Sequence, residues 1–386
     1  MKKKEVNKWP MLLLVAALAL VLCIVLVVGL YSDDKKLSSG NNTPSTSVGD
    51  SQNTEEDISN TEGSTDVVGS EGAEGADDAI DLEDALGSND WTGGDDTDEV
   101  EKWQEGAISH NGKQYVFNNK IKTYLIMGID KDGKVETAKD YHSGGQSDAM
   151  FLVVANPDDK TLSVISINRN TMTRIATNYK NGKSAGYKTA QICLQHGYGD
   201  GRTLSCTRAV DAVSHLFYNL PITGYLTLRM GAIPIINDSV GGVEVNVIES
   251  IDGMGVNLTK GETKTLSGKE AYAYLRWRSK TKFDGATFRL RREEQYISAF
   301  ASKLKASTNG DASKIVDIFE SIDDYIVTNI DFASLAEEIS TYKYDSSRMY
   351  TVPGETVMGT KYEEYYVNDA KFYDMVIDIF YNEVVQ

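Results

Sequence analysis

Twenty consecutive apolar residues, Met11 to Leu30, follow four lysines at positions 2, 3, 4 and 8. At 1.5 Å per residue such a run matches the ~30 Å hydrocarbon core of a bilayer. A buried soluble helix would carry some polar position across that length, and this run carries none. The lysines predict a cytoplasmic N-terminus, with everything beyond Tyr31 outside the cell. A cleaved signal peptide has a shorter apolar region and a small-x-small exit, whereas this run ends Val-Val-Gly-Leu-Tyr-Ser. Cys23 follows Leu22 and lacks the small residue of a lipoprotein signal. Residues 1–8 are therefore expected to form a basic cytoplasmic tail and residues 9–31 an uncleaved transmembrane signal anchor.

Charge separates the next segment from the rest. The chain has 386 residues and a net charge of −18. Residues 31–100 hold two lysines against twenty acids, and residues 101–386 hold 33 basic and 36 acidic side chains. Residues 32–106 are mostly Ser, Thr, Gly, Asn, Asp and Glu, too poor in large apolar side chains to offset the entropy of ordering. They read as a disordered acidic linker, with a reach on the order of 45 Å or more. The remainder is nearly neutral and long enough for a sizeable core, and the acidic balance excludes a general nucleic-acid binder. Three cysteines exclude a disulfide-dense scaffold or a multi-cysteine metal protein.

From residue 107 the pattern becomes globular. Lys122–Asp130 (KTYLIMGID), Asp148–Asn156 and Leu162–Asn168 read as buried strands, the last two joined by the turn-rich Pro-Asp-Asp-Lys-Thr. Thr207–Leu220 has apolar residues at helical spacing. Strand, helix, Gly-Gly turn, strand and helix follow over residues 224–275, then a long helix from about Thr287 to Leu304. This alternation predicts an α/β domain with a mixed sheet over residues 107–306. Three further helical patterns (312–325, 331–341, 368–384) make residues 307–386 a helical segment closing or extending it.

Open α/β sheets bind ligands at strand ends, so polar residues there are the candidate site. Asp130 ends the first strand, Asp148 starts the second after the glycine-rich YHSGGQS, and Arg169 follows the third. Arg276 and Arg278 share a face if extended and diverge by about 200° if helical. Arg289, Arg292, Glu293 and Tyr296 form one stripe on the long helix; Leu290, Ile297, Ala301 and Leu304 form another. Two carboxylates and five arginines suit a magnesium-bound polyphosphate, since Mg²⁺ takes one or two carboxylates plus phosphate oxygens and Arg matches phosphate with paired donors. Ordinary surface ion pairs would produce the same residue counts.

Several of these motifs, in order, decide between the two. YLIMGID, GGQSDAMFLVVANPDDKTLSVISINRNT, VGGVEVNV, LSGKEAYAYLRWR and RLRREEQYI resemble the LytR–CpsA–Psr family over about Lys122–Lys305. The resemblance implies an α/β/α sandwich around a central sheet. It implies an extracytoplasmic phosphotransferase that moves an anionic glycopolymer, such as teichoic acid or capsular polysaccharide, from a polyprenyl-pyrophosphate carrier to peptidoglycan in a Gram-positive-type envelope. It makes Asp130 and Asp148 the Mg²⁺-associated acids. Arg169, Arg276, Arg278 and Arg289 become the pyrophosphate-binding arginines, with Arg292, Glu293 and Lys131 beside them. Asp148, Arg169, Arg276 and Arg278 are the residues expected to act in catalysis, Asp148 as metal partner or proton acceptor. Asn170 stands where the family has a carboxylate, Glu293 where it has an amide, and Gln146 and Lys131 where arginines are common. A non-catalytic lipid-carrier or wall-binding module and a polyprenyl-pyrophosphate phosphatase remain open as other functions.

The polyprenyl tail is expected to need an apolar slot between the sheet and the helix 287–304. The four histidines show no zinc-binding spacing. In an oxidising compartment Cys193 and Cys206 are expected to form a disulfide. HGYGDGR (His196–Arg202) lacks the Gly-Lys-Ser/Thr of a P-loop and reads as a flexible rim.

Overall fold

The computed structural model describes residues 107–278, 285–308, 312–331, 335 and 342–384. The anchor, the acidic linker and most of the helical pattern at 331–341 lie outside the described residues. Among the described residues no helix is long and apolar enough to cross a membrane.

The chain opens with a hairpin, β1 (Ala107–His110) and β2 (Lys113–Phe117), and then enters the sheet through β3 (Lys122–Ile129), β4 (Ser147–Asn156) and β5 (Thr161–Ile167). The β4–β5 turn is fixed locally. Asp158 N donates to Asn156 Oδ1, Thr161 Oγ1 donates to Asp159 Oδ1, and Lys160 takes φ +55°. A second hairpin, β6 (Met172–Asn178) and β7 (Ser184–Gln191), precedes a short helix α1 (Leu194–Gly197) and α2 (Thr203–Leu216). Next come β8 (Gly224–Arg229), α3 (Ala232–Ser239), β9 (Val243–Asn246), the small pair β10 (Ile251–Gly253) and β11 (Val256–Leu258), β12 (Thr263–Leu266), α4 (Gly268–Arg276) and the long α5 (Gly285–Thr308). The chain closes through α6 (Ala312–Ile322), β13 (Ile326–Thr328), β14 (Lys343–Thr351), the hairpin β15 (Gly354–Met358) and β16 (Glu363–Val367), α7 (Asp369–Phe380) and β17 (Tyr381–Glu383).

The central sheet has six strands in the order β13-β8-β3-β4-β5-β14 and is mixed. β3 pairs antiparallel with β4 and parallel with β8, and β5 pairs parallel with β14. Both faces are covered, so the central strands read as near-continuous apolar runs. Alternation still assigns each residue to a face. Leu125, Met127, Ile129, Met150, Leu152, Ile165 and Ile167 pack against α2 and α7. Tyr124, Phe151, Val153, Val164 and Leu226 pack on the opposite face with Leu290 of α5. α4 starts at Ser267, whose side chain accepts from Glu270 N while Glu270 reaches back to Ser267 N. That reciprocal cap is written in the sequence as Ser-x-x-Glu.

The C-terminal segment completes this domain and is only partly helical. β13 and β14 are the two edge strands of the central sheet, and β17 pairs with β2, tying the start of the domain to its end. Parallel β14 lies far from β5 in sequence, so no local turn signal could announce it. The charged stripe of α5 is enclosed as well as the apolar one: Arg289, Arg292, Glu293 and Tyr296 are as buried as Leu290 and Leu304. The HGYGDGR segment is packed rather than a flexible rim: His196 to Gly199 and Gly201 are buried, and a Cβ on Gly199 would fall 2.3 Å from Ser205 Oγ.

Candidate active site

The site forms where β3 ends and β4 begins. Asp130 Oδ1 accepts from Gln146 N at 2.7 Å, and Asp130 N donates to Gln146 O at 3.0 Å. The loop can approach this closely because of Gly145, at φ +87°, where a Cβ would lie 2.8 Å from Ile129 and 3.0 Å from Asp130 Oδ1. Only glycine tolerates both that backbone angle and that contact.

Asp148, the second residue of β4, is the hub. Arg169 Nη2 lies 2.9 Å from Asp148 Oδ1, and Arg289 Nη1 donates to Asp148 Oδ2 at 2.9 Å. Arg289 Nη2 also donates to the Asp148 carbonyl at 3.3 Å, and Arg169 Nη2 donates to Gln146 Oε1. All three charged side chains are almost fully buried. Burial pushes the Asp148 carboxyl up, but Arg169 and Arg289 outweigh it and hold the group below the usual carboxylate range. Asp130 behaves oppositely: burial, then the negative charge of Asp148, raises it to about 6, against the pull of Arg169 and Lys131. Charge and hydrogen bonding thus push two neighbouring carboxyls apart.

The other expected residues divide. Arg276 closes α4 and acts on both Asp130 and Asp148 through its charge, while its Nη1 lies 3.1 Å from Asp132 Oδ1 and also donates to the Tyr272 hydroxyl. Arg278 lies beyond the helix end and pairs with Glu363 at 3.0 Å; the other Glu363 oxygen accepts from Gly285 N. Arg276 and Arg278 therefore take different partners instead of sharing one face. Arg292 turns away, pairing with Glu249 at 2.6 Å and donating to the Trp277 carbonyl, which makes it a brace under α4 and α5. Glu293 sits behind Arg289, its Oε1 3.6 Å from Nε, and that oxygen makes no hydrogen bond. Burial raises Glu293 to about 7. Asn170, at the missing carboxylate, is buried and gives its carbonyl to Tyr365 N.

The cysteine expectation is corrected. Cys193 and Cys206 are both free and buried: Cys193 Sγ faces Gln146 Oε1 at 3.8 Å, and Cys206 Sγ faces His196 Nε2 at 4.0 Å. Each thiol already has a different polar neighbour. Burial pushes them to about 11 and about 12, so neither is a thiolate near neutral pH.

An apolar cavity of about 140 Å³ opens beside this cluster, between the sheet, α3 and α5. Its origin lies in residue size. Toward the site, the cross-strand pair Ile126–Phe151 gives way to Gly128–Ala149, so the sheet no longer fills the space beneath Tyr296, Ile297 and Phe300. Glu293 is on its wall.

Residues missed from sequence are Asp132, Arg229, Glu249 and Glu363. Asp132 and Arg229 sit at or just past strand ends, so the strand-end rule could have found them. Arg229 donates to the carbonyls of Lys134 and Glu136 and so pins the loop after β3. Glu249 and Glu363 have no local signal.

Among the described residues no group of three or more His, Cys, Asp or Glu could hold a metal alone. The pair Asp130 and Asp148 still fits Mg²⁺, a hard cation that takes one or two carboxylates and completes its shell with substrate oxygens. The fit rests on Asp130, whose carboxyl is pushed up by burial and by the neighbouring charge of Asp148, a strain that a bound cation would relieve, and on Asp148 Oδ1, which makes an ion pair but no hydrogen bond.

Fold and site together define an α/β domain with buried arginines and carboxylates at strand ends beside an apolar slot. The chain belongs to the LytR_cpsA_psr family, whose family model matches residues 90–379. It is 29% identical over 226 residues to a Bacillus licheniformis protein named polyisoprenyl-teichoic acid–peptidoglycan teichoic acid transferase TagU, covering 58% of this chain and 65% of the relative. It is 30% identical over 220 residues to the Bacillus subtilis protein of the same name, covering 57% and 63%. The chain thus spans slightly less than two thirds of these relatives' length. Two crystal structures share the fold: protein gbs0355 from Streptococcus agalactiae (TM-score 0.53, 20% identity, 67% of this chain and 86% of that one) and B. subtilis TagV (TM-score 0.51, 22% identity, 68% and 96%).

Proposed function

We propose that this protein is an extracytoplasmic phosphotransferase that moves an anionic glycopolymer from a polyprenyl-pyrophosphate carrier to peptidoglycan. The observation that carries the reading is the junction of the Asp148–Arg169–Arg289 cluster with the apolar cavity under α5. A polyprenyl pyrophosphate is charged at one end and hydrocarbon at the other, and here the two complementary surfaces adjoin. The names of the TagU relatives agree with this substrate class. The apolar run at residues 9–31 would hold the domain to the outer face of the cell membrane.

In the reaction a peptidoglycan sugar hydroxyl attacks the glycopolymer-linked phosphorus. A new O–P bond forms, the bond to the bridging pyrophosphate oxygen breaks, polyprenyl phosphate leaves with that electron pair, and the hydroxyl proton passes to water. Such transfer depends on positioning and on stabilising negative charge. Arg276 and Arg278, at the half-open rim, would grip the outer phosphate oxygens. Asp148 fixes Arg169 and Arg289 with their planes set, and its depressed pKa makes it a poor proton acceptor. Asp130 and Asp148 would hold Mg²⁺, which when bound supplies charge neutralisation at the phosphate oxygens. The cavity would take the isoprene units next to the pyrophosphate and exclude water from the leaving group.

The test is incubation of the full chain with radiolabelled lipid-linked polymer, purified peptidoglycan and Mg²⁺. Label passing to peptidoglycan supports the reading. Retained binding without transfer indicates the binding module, and release of free polymer indicates the phosphatase.

A further inference from the structure

The β6–β7 hairpin is built more rigidly and charged more strongly than a connection between Arg169 and α1 requires. Residues 172–191 contain Arg174, Lys180, Lys183 and Lys188 and no Asp or Glu, in a chain of net charge −18. Three contacts immobilise the ribbon. The Gln195 side-chain amide clamps Ala176, accepting from its N–H at 2.7 Å and donating to its carbonyl at 2.9 Å. His142 meets the Asn178 carbonyl, and the Tyr141 ring packs on Gly182, where a Cβ would lie 2.7 Å away.

The cross-strand pairs Met172–Gln191, Arg174–Thr189 and Ala176–Tyr187 occur at every second position and so share one face. That face begins at the site: Gln191 Nε2 donates to the carbonyl of Glu363, the residue that pairs with Arg278. It ends about 13 Å away, four strand residues on, at Tyr187. Tyr187 is 57% exposed and Tyr179, at the ribbon tip, is 58% exposed. The guanidinium of Arg174 lies 3.8 Å from the Tyr187 ring centroid, over one face of the ring, and holds the ring in place. Opposite Tyr187 stands Ala176, too small to cover it.

A fixed aromatic ring suits the C–H face of a sugar or polyol, and surrounding cations suit phosphodiesters. We propose that the outer face of β6–β7 is a binding track for the anionic, phosphate-bearing polymer of the donor, leading it away from the pyrophosphate site. This inference rests on the function proposed above and assigns the polymer its place on the protein. The charge selects the donor polymer over the acceptor, because an uncharged glycan strand would gain nothing from Arg174, Lys180 and Lys183; Lys188 pairs with Ile175 and faces the other way.

The test uses the full chain in detergent with lipid-free poly(glycerol phosphate) oligomers as probe and a chito-oligosaccharide of similar length as the neutral control. The parent protein binds the phosphate polymer, and binding weakens as salt rises. The K180Q/K183Q variant loses about tenfold in affinity, since two exposed charge contacts of up to ~1 kcal/mol each are removed together. Tyr187→Ala, an exposed change that leaves the ribbon's clamps intact, also weakens binding, with melting curves as the fold control. A short-chain polyprenyl pyrophosphate without polymer binds parent and variants alike. Equal polymer binding by parent and variants, no polymer binding by the parent, or a neutral oligosaccharide bound equally well each overturns the track. Failure of the parent to bind polyprenyl pyrophosphate would instead overturn the proposed function.

Discussion

Glu293→Gln is expected to stabilise the protein, and only above mildly acidic pH. The carboxyl lies behind Arg289 with one oxygen lacking a hydrogen bond, and burial lifts it from 4.5 to about 7. A raised folded-state value means that the native protein holds this proton more tightly than the unfolded chain does. Stability from this group is therefore greatest below the unfolded value near 4.5 and falls as pH rises through 7. At 1.36 kcal/mol per unit, the burial of an ionised Glu293 costs about 3 kcal/mol at pH 8 and about 1 kcal/mol at pH 5. Glutamine has nearly the same shape and no charge, so it relieves that cost. For a domain of this size about 3 kcal/mol corresponds to roughly 6–12 °C in melting temperature. Thermal and urea unfolding of parent and variant at pH 5 and pH 8 measure the difference at each pH. A variant no more stable than the parent at pH 8, or equally stabilised at both pH values, would refute the argument that the buried carboxylate is under-compensated by Arg289.

Three other outcomes follow from the same geometry. Asp148→Ala strands Arg169 and Arg289 in the interior, and breaking a buried pair from one side costs about 3–5 kcal/mol, readable by urea unfolding. Ala149→Leu fills the cavity where the sheet narrows; it should leave inorganic pyrophosphate binding unchanged and weaken that of long-chain polyprenyl pyrophosphate, measured by calorimetric titration. Peptide mapping of unreduced protein should find Cys193 and Cys206 as free thiols, and a linked pair would contradict the separate environments of the two sulfurs.

Much of this site was legible in the sequence because its residues sit at the ends of elements that announce themselves. KTYLIMGID and DAMFLVVAN are unmistakably buried strands, which puts Asp130 and Asp148 at one end of two central, paired strands. Ser267-x-x-Glu270 marks the start of the helix that ends at Arg276. The partners were not legible. Glu363 reaches Arg278 across 85 residues and Glu249 reaches Arg292 across 43, and neither spacing has a local pattern. The residue types of α5 also mislead: Arg289, Arg292 and Glu293 look like a solvated stripe, yet all three are buried, the arginines against the counter-charges of Asp148 and Glu249 and Glu293 against Arg289. The cysteine pairing failed for a related reason, since compartment argues that a bridge can form but only packing decides which way each thiol points.

The most direct measurement of the central claim is the affinity of a short-chain polyprenyl pyrophosphate for the parent protein and for Arg276→Ala and Arg278→Ala. Both arginines stand at the half-open rim, so their removal spares the buried Asp148 cluster, and melting curves confirm the fold. A hydrogen bond to a charged group is worth roughly 1.5–3 kcal/mol, so each variant should lose about ten- to a hundredfold in affinity. Affinities unchanged in both variants would mean that these arginines only hold Asp132 and Glu363, and that the strand-end cluster is not a pyrophosphate site.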